Sequence, residues 1–445
     1  MKRFKLLWSL TRLSTITAVL LVISTPATAD ELDDLKQQIQ DLARKIELLE
    51  NQRDQEQQTM ADSLPANDVV MAGDMPGSIK LPGTDTSLRI GGFIESAFIY
   101  DIGPRPTSRG GDIASARSAV LEGEPEYENR GDTRFTARNS RFNIVTLTPT
   151  RFGNLRTFIE ADFNGPPNDK GSRATTSRTA FGLRHAYGEL GNFLMGHYWT
   201  NFSDNSVFPN KVNGTGPVGR TFMRQGQIRY THEFDQGGEL AIALENPHGD
   251  FVDADDLNLD DGYPDLTTHY RYEADRWHMQ FSGMLRRMGR DDGIVDASNN
   301  DQVMAWGLNQ SGAFLLPGIE DRISWYLIFG DGIGRYLEGG VDQGASVSAD
   351  GQLDTQFGYG GFITYRHMWT DTLESNIDFG YSTFDLNVEE VGIANRKLYS
   401  SHVNLLWMPI ASLEFGIEYA WAHRRVHDGR EGSINRINAH SVFYF

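Results

Sequence analysis

From Leu88 to its last residue the chain alternates apolar and polar positions with a period of two. In "LRIGGFIESAF", Leu88, Ile90, Ile94 and Phe98 stand against Arg89, Glu95 and Ala97. "NLRTFIEADF" sets Leu155, Thr157, Ile159, Ala161 and Phe163 against Arg156, Glu160 and Asp162. "SLEFGIEYAW" sets Leu413, Phe415, Ile417, Tyr419 and Trp421 against Glu414 and Glu418. Successive side chains of a strand point to opposite faces, so each segment predicts a strand with one apolar face and one charged face. About sixteen such segments lie near 88–100, 134–148, 153–164, 180–190, 192–198, 222–234, 238–246, 265–274, 276–287, 301–315, 320–330, 357–369, 371–385, 396–409, 411–424 and 433–445.

The connections alternate in length. "TRFGN", "LG", "DQGG", "AD", "LPGIE", "WTD" and "PIA" are short, whereas 101–133, 199–221, 246–264 and 331–356 are long. An even strand count with short turns at one end and long loops at the other is the pattern of an outer-membrane barrel. Such a sheet must close, because an open edge leaves backbone groups unpaired in hydrocarbon. The fold class expected is therefore an all-β transmembrane barrel of about 16 antiparallel strands over 88–445. A soluble sandwich hides its apolar face inside and does not accommodate this loop alternation. The final strand ends on Phe443, Tyr444 and Phe445, at the short-turn rim where aromatic residues gather.

Before the barrel the period changes. Leu32, Leu35, Ile39, Leu42, Ile46 and Leu49 are spaced 3, 4, 3, 4 and 3, a heptad seam that predicts a short N-terminal α-helical coiled coil over 30–58. Pro65, Gly73, Pro76, Gly77, Pro82 and Gly83 mark 59–87 as an irregular tether. The start of the chain has Lys2, Arg3 and Lys5, a mostly apolar run from Leu13 to Ile23, and Ala27 and Ala29 before Asp30. That order reads as a secretory signal peptide, 1–29. The signal carries four basic and no acidic side chains, so the formal charge of -19 becomes about -23 after cleavage.

Composition narrows the function. The chain has no Cys, which excludes a disulfide framework and a thiolate metal site. Its acidic balance argues against binding nucleic acid. His278, His402 and His440 show no paired metal spacing and read as polar lining; no catalytic set and no cofactor are expected. The run "GDFVDADDLNLDDGYPD" carries Asp250, Asp253, Asp255, Asp256, Asp260, Asp261 and Asp265. It fails the EF-hand pattern, because Asn258 stands where the glycine is needed, and reads as an acidic loop more readily than as a Ca²⁺ site.

The signal, the seam, the entry "PGSIKLPGTDTSLRIGGFIESAFIYDIG" and a sixteen-strand barrel ending in Phe together resemble the DcaP-like outer-membrane porins. Phosphate-selective porins of the O/P type share a similar layout. The DcaP resemblance implies a homotrimer and uptake of small anionic solutes such as dicarboxylates. The terminal Phe443 and Phe445 resemble the signal read by the bacterial barrel-insertion machinery. In trimeric porins the third long loop typically folds inward, so the likeness implies the same for 199–221, with Asp204, Lys211 and Arg220 at the constriction. The expected surroundings are outer-membrane lipid and lipopolysaccharide, with the coiled coil in the periplasm.

A barrel of about sixteen strands encloses an aqueous lumen whose inward side chains set selectivity. Alternation points Arg89, Arg138, Arg156, Arg184, Arg229, Arg271 and Arg286 inward on one wall, and Glu374, Asp378, Glu414 and Glu418 on the other. Arg141 and Arg224 are left open, since a bulge would shift the register of their strands. Guanidinium groups suit an anion path, because they stay charged and grip carboxylates bidentately. The competing role is a structural or adhesive barrel.

Overall fold

The structure is a computed structural model. It describes residues 71–107, 112–165, 180–212, 214–252, 259–260, 262–290, 302–318, 320–347, 353–386 and 393–445, with helical residues between 37 and 52. The chain forms two compact units, one of residues 1–71 with 82–84, the other of 72–81 with 85–445. In the first unit the described residues from 37 to 49 are helical, and Leu42, Ile46 and Leu49 are each more than half exposed. What the chain holds here is one short helix, not the coiled coil expected over 30–58. A heptad seam buries its apolar side chains only against a second helix. Leu32, Leu35, Ile39 and the segment 1–29 lie outside the described residues.

The second unit is a closed barrel. Its strands are β1 Ser87–Asp101, β2 in two pieces Asp132–Thr136 and Arg141–Thr150, β3 Gly153–Asp162, β4 Gly182–Leu190, β5 Phe193–Trp199, β6 Arg224–Phe234, β7 Gly238–Glu245, β8 Asp265–Ala274, β9 Trp277–Arg290, β10 Gln302–Leu315, β11 Arg322–Asp331, β12 Phe357–Thr370, β13 Leu373–Asp385, β14 Asn395–Ile410, β15 Leu413–Val426 and β16 Glu431–Tyr444. Each pairs antiparallel with the next, and β16 pairs with β1 to close the sheet. This matches the sixteen expected segments to within a few residues at each end. The final residues of the stretch expected as a tether are folded: Ile79–Lys80 pairs with Leu88 and Ser87.

Closure depends on the last residue and on one glycine. Phe445 donates its backbone N–H to the Gly92 carbonyl at 3.1 Å, and Gly92 donates back to the Phe445 carbonyl at 3.2 Å. Gly92 has φ +151°, and a Cβ there would lie 2.1 Å from the Arg141 carbonyl oxygen. Only glycine lets three strands approach at this seam. β2 breaks opposite it, and residues 137–140 carry the chain across the interruption. Arg138, expected on a regular strand, therefore sits in that break.

The outward faces are apolar and exposed along most of the wall: Ile228, Ile242, Leu285, Leu308, Leu327 and Ile363 are examples. Aromatic residues such as Tyr230, Phe234, Trp277, Trp369 and Trp407 mark the short-turn rim, as expected of an interfacial girdle. Inside, the expectation of a charged inward face fails on the long-loop half of β9–β14. Met284, Tyr326, Ile328, Phe362, Phe384 and Leu398 point inward and are buried. They form one apolar cluster with Ala114, Ala116 and Ala119 of the β1–β2 loop, Phe202, Val207 and Val218 of the β5–β6 loop, and Ile333, Tyr336 and Leu337 of the β11–β12 loop. Loops that fold back into the barrel need an apolar bed, and this half of the wall supplies it.

Candidate functional site

The β5–β6 loop, residues 200–223, crosses the lumen. It turns inward at its first residues, because Thr200 Oγ1 and the Asn201 N–H both donate to the Glu245 carboxylate at 2.6 Å. Asp204 then caps a short 3₁₀ turn, accepting from the Ser206 N–H at 3.0 Å. The same carboxylate meets Arg271 Nη1 at 3.2 Å on β8, His278 Nε2 at 3.0 Å on β9 and Ser311 Oγ at 3.1 Å on β10. Burial pushes the Asp204 carboxyl up, but His278, Ser206 and Arg271 outweigh it and hold the group at about 2. Beyond the turn, Phe208 packs on Phe362 and Tyr326.

The loop reaches the other side at Asn210. Its side-chain amide donates to Glu374 at 2.8 Å, and its carbonyl accepts from Asn404 at 2.8 Å. The Val212 N–H donates to Glu418 at 3.2 Å, and the Val218 N–H donates to Ser400 at 2.9 Å. Lys211 Nζ lies 3.6 Å from Asp378, whose other oxygen meets His402 at 2.8 Å. Burial lowers the Lys211 ammonium below its usual value, opposed by Asp378 and Glu418. The return is tied to the β11–β12 loop: Arg220 meets Glu338 at 2.7 Å, and Thr221 donates to the Tyr336 carbonyl at 2.6 Å. Gly219, with φ +85°, allows this close seat, since a Cβ there would lie 2.3 Å from the Gly361 carbonyl.

The two walls therefore differ in more than sign. Asp378 and Glu418 are buried under the crossing loop. Glu374 holds the loop, and Glu414 faces His440 at 3.1 Å. These four carboxylates, expected to line open water, mostly anchor protein. The arginines of β3–β8 keep more freedom. Arg156, a third exposed, meets Glu189 at 2.6 Å and Tyr187 at 3.1 Å. Arg229 donates to Gln227 and to the Trp199 carbonyl, with no carboxylate among its described hydrogen-bond partners. Arg271 is shared between Asp204 and Glu273, and Arg89 is half-buried on the inward face of β1.

Three predicted arginines are taken up by structure. Arg286 is fully buried; it meets Asp250 at 3.1 Å and the His248 carbonyl at 2.6 Å, beneath the β7–β8 and β11–β12 loops. It therefore does not line a path. Arg184 spends its guanidinium on Glu160 at 2.7 Å and Asp162 at 2.6 Å. Arg138 meets Asp112 of the β1–β2 loop at 3.2 Å. Arg141, left open by the sequence, points inward at the start of the second piece of β2, 3.7 Å from Glu160. In the acidic run, Asp250 accepts from the Arg335, Asp342 and Gln343 N–H groups. Asp265 meets Arg335 at 2.8 Å. Asp250 is committed to arginine and backbone, Asp265 to arginine and the Tyr336 hydroxyl at 2.9 Å, and residues 253–258 and 261 lie outside the described ones.

Residues absent from the sequence reading also point inward. Arg322 and Arg366 are paired in register on β11 and β12, and each follows the alternation that found the others. Phe158, Tyr187, Tyr198 and His185 form an aromatic patch on β3–β5, with Tyr187 and Tyr198 rings 4.5 Å apart. Arg156 and Arg229 lie over its rings. Phe158 shares the parity of Arg156 and so follows the alternation, but the gathering of rings from three strands into one patch has no period-two signal.

Comparison with known proteins places this geometry. Residues 27–445 match the family described as DcaP outer membrane protein. The crystal structure of the outer membrane channel DcaP of Acinetobacter baumannii superposes with a TM-score of 0.70 at 18% identity, covering 85% of this chain and 100% of that one. An anion-selective porin from Comamonas acidovorans gives a TM-score of 0.53 at 9% identity, covering 81% of this chain and 100% of that chain. Porin Omp2b of Brucella abortus is 26% identical over 204 residues, which are 44% of this chain and 50% of that protein. The match thus spans about half the length of those relatives.

Proposed function

Because the chain belongs to the DcaP outer membrane protein family, we propose that it is a passive outer-membrane porin for small anionic solutes, with dicarboxylates as the preferred class. One observation carries this reading. The crossing loop covers Asp378 and Glu418 and sets Lys211 against them, while Arg156, Arg229 and Arg271 remain along the opposite wall. Selectivity follows the local field of the groups facing water, not the negative total charge. A likeness in fold to a porin named anion-selective agrees with it. A guanidinium group can grip a carboxylate bidentately, which suits these arginines to diacids.

Planar-bilayer recording tests this directly. The reversal potential in a chloride gradient should favour anions at low salt. Succinate should block chloride current at lower concentration than phosphate does. A stronger block by phosphate would favour the phosphate-selective reading, and no steady conductance would favour a structural or adhesive barrel.

The assembly belongs to the same proposal. Leu42, Ile46 and Leu49 on the described helix face solvent, so the seam is open to like helices, and the functional unit is a homotrimer with this segment in the periplasm. Phe443 and Phe445 serve as the insertion signal, and the outward apolar wall meets lipid and lipopolysaccharide.

A further inference from the structure

One pair of like charges stands face to face inside the barrel. Arg322 opens β11, and its register partner on β12 is Arg366. Directly opposed residues of an antiparallel pair have Cα atoms about 4.5–5.5 Å apart, and like charges there repel. Both arginines share the inward parity of Tyr326 and Phe362, and both lie four residues nearer the short-turn rim than that pair. Arg322 Nη2 donates to the Ser206 carbonyl at 2.8 Å, so its guanidinium lies against the turn of the crossing loop. Arg271 Nη1 donates to the hydroxyl of the same serine at 3.1 Å and brings a third guanidinium to this place. Arg366 donates to the Glu320 carbonyl at 3.2 Å, and its Nε is buried without a partner among the described residues.

The carboxylates around the pair are engaged elsewhere. Asp204 meets Arg271 and His278, and Glu273 meets Arg271 at 2.9 Å. Asp321 accepts from Tyr365 and His367, and Glu374 accepts from Asn210 and Asn376. Among the described residues, neither Arg322 nor Arg366 forms an ion pair; their bonds go to backbone carbonyls. A recess of about 250 Å³ opens beside them, lined also by Arg276, Glu273 and Asp275. We propose that Arg322 and Arg366 form an anion site at the short-turn mouth of the lumen, which holds a carboxylate of the departing solute. The short turns of such barrels lie in the periplasm, so this is an exit site. The inference rests on the porin reading above and deepens it, by adding a station beyond the crossing loop. Two repelling guanidinium groups gain most from a ligand that neutralises both, and the oxygens of a carboxylate match their planar forks. Glu273 and Asp275 at the edge of the recess keep the hold weak enough for release, which conduction requires.

Side-specific block in planar bilayers tests the site. The chain has no Cys, so a biotinylated Thr372→Cys in the β12–β13 turn, met by streptavidin in one compartment, fixes which side is which. Succinate added on the short-turn side should block chloride current at lower concentration than succinate added on the long-loop side. Arg366→Gln should raise the half-blocking concentration from the short-turn side about tenfold and leave block from the long-loop side unchanged. Arg322 also holds the loop, so Arg366→Gln is the decisive variant, and proteinase K cleavage of 200–223 checks that the loop stays seated. Equal block from both sides of the unaltered channel, or a side difference that survives Arg366→Gln, would overturn the site while leaving an anion-preferring porin standing. A second arm needs no conduction. In detergent-folded protein, succinate at matched ionic strength should slow the modification of Asp275→Cys by an anionic methanethiosulfonate several-fold, and should not do so once Arg366→Gln is added. Equal rates with and without succinate count against the site. A silent or cation-preferring unaltered channel would overturn the porin reading itself, and the thiol reaction would then decide the site alone.

Discussion

Lys211 lies buried 3.6 Å from Asp378, at the point where the crossing loop meets the acidic wall. The ammonium has no hydrogen bond at this distance, so its contribution is charge neutralisation rather than a directed contact. Breaking one side of a buried pair costs about 3–5 kcal/mol, because the other charge is left uncompensated. Lys211→Met should therefore loosen the far end of the loop. The expected readout is a noisier channel with larger mean conductance and weaker anion preference, as Asp378 returns to the lumen. Unchanged single-channel current would mean that the backbone bonds of Val212 and Val218 hold the loop unaided.

The near end of the loop should resist acid. The Asp204 carboxyl is held at about 2, below the ordinary aspartate value of 3.8. A depressed carboxylate contributes stability that is present above its unfolded value and is lost as pH falls through its folded value. Docking at Asp204 should thus be intact above about pH 4 and should fail only as the pH approaches about 2. Protease sensitivity of the 200–223 segment across this range measures it. Asp204→Asn should move the onset of cleavage to neutral pH; cleavage already present in the unaltered protein at pH 5 would contradict the assignment.

Steric seating of the loop can be tested without touching a charge. A Cβ at Gly380 would stand 2.2 Å from the Val218 carbonyl oxygen. Gly380→Ala should displace the loop from β13 and expose it to proteinase K, while the barrel stays heat-modifiable. Gly226→Ala meets open space and should be silent. Equal behaviour of the two variants would remove the steric account.

The chain terminus has a structural role, and the insertion role proposed for it can be tested separately. Deleting Phe445 removes its two backbone bonds to Gly92 and one exposed aromatic, a loss of roughly 2–4 kcal/mol for a finished barrel. A sixteen-strand structure survives that, so refolding in detergent should be nearly normal. Membrane yield in cells should fall much further if the residue is read during insertion. Equal impairment in both settings would reduce Phe445 to packing.

Arginines of the two classes should separate. Neutralising Arg156, Arg229 and Arg271 together should shift the reversal potential towards cations, most clearly in dilute salt, since the Debye length is about 10 Å at 0.1 M. Arg286→Met should leave selectivity unchanged and cost about 3–5 kcal/mol of stability, because it strands Asp250 beneath two loops. A selectivity change from Arg286→Met alone would place that side chain on the path after all.

The alternation of Leu155, Ile159 and Leu413, Ile417 against their charged neighbours determined the strands, their number and the face each turns to lipid, because a period of two is a local property of extended backbone. Closure was legible too, since lipid leaves no unpaired edge. The same local rule found Arg156, Arg229 and Arg271 on the inward side. It did not separate them from Arg286, which shares their parity, or reveal that Tyr326, Phe362 and Leu398 face a packed interior. Those outcomes depend on which loops fold back and where they land, a matter of contacts between residues more than a hundred positions apart, such as Arg220 with Glu338 and Val212 with Glu418. No periodicity encodes such pairs. Only when the barrel closes does it bring the acidic wall under the loop that neutralises it, and so leave the arginine wall to face the lumen.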